Sequence, residues 1–193
     1  MIILLVKITS MKPVLILCSG IFALFLCTSQ VSGQALPADS IKTFMVHEWQ
    51  RAKDYTADYL KVMPADKYSF RATDSVRTFA QQMLHLAQAN LFFMSMISDT
   101  PPPSWGQSDL EHSATSASSD SVKYYVMASY DYCINTVQQT PVDKWGEMKK
   151  TFGRSISKFS LMMKCFEHQT HHRGQTTIYI RLVGIKPPNE RLF

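Results

Sequence analysis

The sequence predicts an all-α protein, a four-helix bundle with a long crossover loop between helices 2 and 3. Three observations carry this reading: four segments whose apolar residues recur every three or four positions, prolines that punctuate them, and the lack of any sustained period-two alternation. With 193 residues, 46% apolar and 18% charged, the chain suits one domain with its own hydrophobic core. No internal repeat competes with that picture.

The first 33 residues contain Lys7 and Lys12 and no acid. An apolar run from Val14 to Leu26, broken only by Cys18, Ser19 and Gly20, is followed by the small residues Val31-Ser32-Gly33. This is the layout of a secretory signal peptide over 1–33, with Met11-Lys12 as an alternative start. The run falls short of the about 20 residues that a membrane span needs. Residues 34–193 are therefore expected to be exported, periplasmic or secreted, with no stable membrane span after cleavage. Cys133 and Cys165 are then the only cysteines left, too few for a dense disulfide framework. The mature charge balance is 18 basic against 15 acidic residues, net +3 rather than +5, with no basic run. A nucleic-acid partner is not expected from that distribution.

Within the mature chain, the first helix is expected from about Ser40 to Met63, with Ile41, Phe44, Met45, Ala52, Tyr55, Tyr59 and Val62 inward. Asp39 or Ser40 can cap it and Pro64 ends it. The second opens near Asp74 and carries Val76, Phe79, Ala80, Met83, Ala87, Leu91 and Met94 as far as Ser98. Residues 99–120 are rich in proline and serine, and Pro101-Pro102-Pro103 forbids a helix there. With Trp105 as its main apolar anchor, this stretch is expected to be a mobile lid. The third helix spans about Ser121 to Gln139, with Val122, Tyr125, Val126, Ser129, Cys133 and Val137 inward; Pro141 ends it. Residues 141–154 read as irregular or as a short extra turn. The fourth helix runs from about Ser157 to Val183, its stripe formed by Phe159, Met162, Met163, Phe166, Ile178 and Leu182, with Gly184 as the stop.

Chemistry concentrates in the fourth helix, at Glu167-His168-Gln169-Thr170-His171-His172-Arg173-Gly174-Gln175. Residues four apart share a helix face, so His168 and His172 can aim two imidazoles at one point. His168 with His171 can also converge, and spacing alone does not choose between the pairs. A divalent ion held by nitrogen needs a further ligand, and His85, mid-way along the second helix among apolar neighbours, is placed to supply it. Burying several imidazoles without partners costs a few kcal/mol, which an ion would offset.

The stretch from His168 to Ile185, HQTHHRGQTTIYIRLVGI, resembles the signature helix of the DinB-like (damage-inducible) superfamily of metal-binding four-helix bundles. Met63-Pro64-Ala65-Asp66-Lys67-Tyr68, Ser75-Val76-Arg77-Thr78-Phe79 and Leu84-His85-Leu86-Ala87 resemble the same superfamily, in the same order along residues 40–190. The resemblance implies a metal site of His85, His168 and His172, selecting His172 over His171. It also implies a homodimer and a divalent metal, zinc or nickel first and iron or manganese next. It implies no single reaction, and a name drawn from DNA-damage induction says nothing of DNA binding. Export argues against a cytosolic thiol as co-substrate.

Other residues have ordinary roles to weigh. His47 and His112 read as exposed, and Met83, Met94, Met162 and Met163 as core filling. Cys165 reads as buried and inert, and Arg173 as solvated or ion-paired rather than anion-binding. Two functions follow. One is a metal-dependent hydrolase or group transferase, acting on a small-molecule substrate through an open coordination position, although the sequence offers no firm general base: Glu167, the nearest acid in sequence, neighbours the ligands on the same helix without sharing their face. The other is a non-catalytic metal- or ligand-binding module in which the ion braces the bundle.

Overall fold

Local capping chemistry decides where each helix begins. The structure, a computed structural model, describes residues 37–193; the expected signal peptide over 1–33 lies outside them. Helix α1 spans Ala38–Val62 and starts without a side-chain cap: the Pro37 carbonyl accepts from the amides of Ser40 and Ile41 at 3.0 and 3.2 Å. Asp39 lies in the first turn, where its charge complements the helix dipole instead of capping. Helix α2, Phe79–Ser98, begins later than the sequence reading at Asp74. Thr78 and Gln81 form a capping box, each side chain accepting the other's amide at 3.1 and 3.0 Å. That reciprocal pair satisfies two amides, and Asp74 is left to pair with Arg71 in solvent.

Helix α3, Ser119–Gln139, is capped by Ser118, and helix α4, Lys158–Leu182, by Ser157. Helix α4 ends where expected. Gly184 adopts φ +81°, its amide donates to Arg181 O and the Ile185 amide reaches back to Ile180 O, a Schellman closure that needs the glycine. No helix among the described residues is long and apolar enough to cross a membrane.

Helices α1 and α2 each pack against both α3 and α4, so the order around the bundle is α1, α3, α2, α4. The core gathers Trp49, Phe79, Met83, Leu84, Met94, Val126, Tyr130, Leu161 and Met162, all fully buried or nearly so. Trp49, absent from the expected stripe, stands edge-on to Tyr130 and Phe166 at ring separations of 6.0 and 5.2 Å. With Trp49 inward, Phe44 is turned out and is 62% exposed.

The fourth-helix stripe is displaced in the same way. Phe159, Met163, Ile178 and Leu182 are exposed, and the buried face instead carries Leu161, Cys165, Gln169, His172, Arg173, Thr176 and Tyr179. The inner face of α4 is half polar, and its polar groups find partners inside the bundle, so apolar periodicity misplaces it. Arg173 is the clearest case: it is 5% exposed and meets no carboxylate. Its guanidinium donates to Gln169 Oε1 at 2.8 Å, Thr56 Oγ1 at 3.3 Å and Ala52 O at 3.4 Å, and lies 4.6 Å from the Tyr55 ring centre. It is neither solvated nor ion-paired.

Two connections differ from expectation. Residues 141–154, read as irregular or a short extra turn, do hold a short 3₁₀ turn at Val142–Lys144, but then enter an antiparallel hairpin of β1, Met148–Thr151, and β2, Arg154–Ser157. Its two-residue loop, Phe152-Gly153, has φ +49° and +69°, the signature of a type I′ turn. Lys149 and Lys158 both pair with Asp99 at the end of α2, and Lys158 also pairs with Glu147 at 2.8 Å, which pins the hairpin to the bundle. The connection between α2 and α3 holds short 3₁₀ turns at Ser104–Gly106 and Ala114–Ala117. Trp105 packs on Tyr125, as an anchor should. It is not the main one: Leu110 and Glu111 are 2% and 9% exposed, and Gly106 lies so close to Leu91 that a Cβ there would collide with it.

Candidate metal centre

The site forms where α2 faces α4. His85 comes from the middle of α2, while His168 and His172 lie one turn apart on α4. One ligand atom from each of the three lies within 4.8 Å of the others. The Nε2 atoms of His168 and His172 face one another at 3.1 Å. Two nitrogens bound tetrahedrally to one ion at about 2.0–2.1 Å would stand about 3.4 Å apart, so little movement separates this arrangement from a ligated one.

The far edges of two of the rings are held. Glu111 Oε1 lies 2.5 Å from His85 Nδ1, and its Oε2 accepts from Arg77 Nε at 2.6 Å. A carboxylate on Nδ1 keeps the proton there and leaves Nε2 as a lone pair, the usual support of a metal-binding histidine. The Gln82 amide sits 2.7 Å from His172 Nδ1 and also meets Gln175. The contacting atom is the amide nitrogen, which donates to Nδ1 and fixes the ring's orientation; ligation through Nε2 requires the amide to turn its oxygen to Nδ1 and accept the proton there. His168 Nδ1 is buried and has no hydrogen-bond partner among the described residues. Ligation through Nε2 would leave the proton on this unpartnered Nδ1, so His168 is the least supported of the three rings.

Electrostatics favours the neutral, ligand-competent rings. Burial, then the charges of His85, His171 and Arg77, push His168 down to about 4. Burial, then His168 and the other cations nearby, push His172 down to about 3. Unfolding restores the ordinary value of 6.5, so protonation favours the unfolded chain. The stability these rings contribute is present above pH 6.5 and is lost progressively as the pH falls through 6.5 towards about 4 and 3. Chelator-treated protein should lose melting temperature between pH 7.5 and 4.5, and a His168→Ala/His172→Ala variant should show a flatter profile; thermal melts across that range check it.

The remaining acids and histidines separate cleanly. His171 is exposed and contacts Gln175 at 3.0 Å, outside the converging set. His47 and His112 are exposed and pair with Glu48 and Asp109. Glu167 is turned outward onto Lys164 at 2.7 Å. Cys165 and Cys133 are fully buried free thiols, and burial pushes Cys133 well up. Sequence reasoning missed Glu111, Gln82 and Gln175. The glutamines stand three residues from His85 and His172 and could have been found by helical spacing; Glu111 is 26 residues from His85 and carries no such signal. A cleft of about 610 Å³ borders this support, lined by Arg77, Gln82, Glu111, Gln175, Ile178 and Tyr179 among others.

The fold and this cluster define a four-helix bundle with a histidine site that could hold a divalent metal. The chain belongs to the DinB family, whose sequence profile matches residues 38–191. No curated protein matches it significantly. Among solved structures it is similar to a DinB-like protein from Bacillus subtilis, with 16% identity, a TM-score of 0.59, and 77% of this chain and 95% of the other covered. A DinB-like protein from Bacillus cereus gives 19% identity and a TM-score of 0.61, covering 76% and 95%. A conserved protein from Enterococcus faecalis gives 15% and 0.62, covering 74% and 96%. At these identities the likeness speaks for the fold alone.

Proposed function

We propose that this chain is an exported divalent-metal protein acting on a small molecule, as a metal-dependent hydrolase or group transferase. The observation that carries the proposal is the convergence of donor nitrogens from His85, His168 and His172, with Glu111 and Gln82 behind two of them. A divalent ion with three protein ligands keeps a position open, where it can polarise a substrate oxygen or acidify water. Imidazole donors suit zinc or nickel, with iron and manganese as further candidates. The part of the chain itself is to hold the rings: Glu111 fixes His85, Arg77 fixes Glu111, and Gln82 fixes His172. Export rests on residues 1–33, and a homodimer belongs to the same proposal.

One observation favours the bracing alternative. Glu111 is committed to His85 and Arg77, and Glu167 faces away, so neither acid is free as a general base. Elemental analysis and visible spectra of the cobalt-substituted protein separate the two readings. One ion per chain, with a cobalt spectrum that shifts on adding a small thiol while helical circular dichroism is unchanged, supports an open position. A spectrum indifferent to every small ligand supports the brace, and a chain that takes up no metal ends both.

A further inference from the structure

Beside the histidine cluster lies an aromatic group that the site as described does not use. Phe93 of α2 stands 6.1 Å from the His168 ring, and its neighbours are Phe92 at 5.6 Å and Phe152 at 6.4 Å. Phe92 and Phe152 touch each other at 5.8 Å, yet they are 46% and 67% exposed. Phe152 sits at the tip of the hairpin with φ +49°, a conformation that bulky residues rarely adopt and that Asn or Gly takes readily at this position of a type I′ turn. A ring that gains little burial is held in an unfavourable backbone state, and the ion pairs of Asp99 with Lys149 and Lys158 keep its hairpin against α2. Strain of that kind, one ring removed from His168 through Phe93, points to a role other than packing.

We propose that Phe92, Phe93 and Phe152 form the apolar subsite of the metal centre, and that its substrate carries an aromatic or branched alkyl group next to a metal-coordinating head. The inference rests on the metal reading above and adds the substrate class. The occupant is a small molecule rather than a second copy of the chain because of area. A buried aromatic side chain covers about 150–250 Å², so two half-exposed rings offer far less than the roughly 800 Å² per partner of a stable interface. Continuity with His168 through Phe93 places such a group within reach of a head held by the histidines.

The test uses the full mature chain, its metal content measured first, and two hydroxamate probes that share a chelating head. Benzohydroxamate should bind at least about tenfold more tightly than acetohydroxamate, because its ring is removed from water against the three phenylalanines. Phe152→Asn should reduce that preference to within about threefold while metal content stays the same. Its melting temperature should hold or rise, because Asn-Gly is the favoured pair for this turn. Equal affinity for the two probes in a metal-loaded wild type, or an unchanged preference in Phe152→Asn, overturns the subsite and leaves the metal site standing. A fall in melting temperature with an unchanged preference makes Phe152 a packing residue, and a dimer that dissociates on Phe152→Asn in sedimentation makes this face an interface; either overturns it. A wild type without metal removes the centre and the subsite together.

Discussion

Replacing His85, His168 or His172 with alanine should each abolish stoichiometric metal, while His171→Ala keeps it. The first three supply the converging nitrogens, whereas His171 is exposed and touches Gln175. An ion that binds only the folded chain stabilises it by about 4 kcal/mol at a thousandfold excess over its Kd. For a domain of this size that is roughly 8–16 °C of melting temperature. The readout is the difference between loaded and chelator-treated protein, so that the loss of a ring from the core does not count as loss of metal. It should be large for the wild type and His171→Ala and near zero for the other three. If His171→Ala empties the site and His172→Ala leaves it full, the assignment is wrong.

Arg173→Ala should destabilise the bundle by about 3 kcal/mol, through charged hydrogen bonds and a desolvated cation–π contact that no other residue replaces. Gln169 Oε1 would keep only its bond from Tyr130, and Thr56 and Ala52 would lose a donor. The expected drop in melting temperature is about 6–12 °C. Metal stoichiometry should survive, because Arg173 contacts none of the three ligand rings. Urea unfolding and elemental analysis of the same preparation check both halves. A variant as stable as the wild type but short of metal would make Arg173 part of the site instead of the core.

Legibility in the sequence followed the kind of force involved. Helix ends set by glycine or proline, at Pro64, Pro141 and Gly184, were readable because those residues act through their own backbone. The start of α2 was not. Asp74 and Thr78 are both acceptable caps in isolation, and the choice depended on Gln81 closing the box. On α4 the reading failed because it looked for apolar residues, while the inner face is built from Gln169, His172, Arg173 and Thr176 satisfied by partners on other helices. The histidines were found through residue spacing and family resemblance together. Spacing left His171 and His172 equivalent, and the geometry separates them. Glu111 was hidden because its position depends on how a proline-rich connection folds back, and Leu110 beside it supplies the anchor. The hairpin was hidden too: its strands are short and largely polar, and a Phe-Gly tip lacks the usual Asn-Gly mark.

The order of the helices around the bundle has a consequence for how the chain assembles. Of the three pairs consecutive in sequence, only α2 and α3 are neighbours in space; α1 and α2 lie across a diagonal, as do α3 and α4. Contacts close in sequence cost the least chain entropy to form, so the middle of the molecule is where docking begins. Helix α1 is synthesised before the other three, and it has no nearby surface to join. It must wait for α3, and its face around Trp49 stays uncovered until then. The interval between synthesis of α1 and arrival of α3 is when a chaperone would have most to bind, and the last helix, which carries His168 and His172, completes the histidine cluster only at the end.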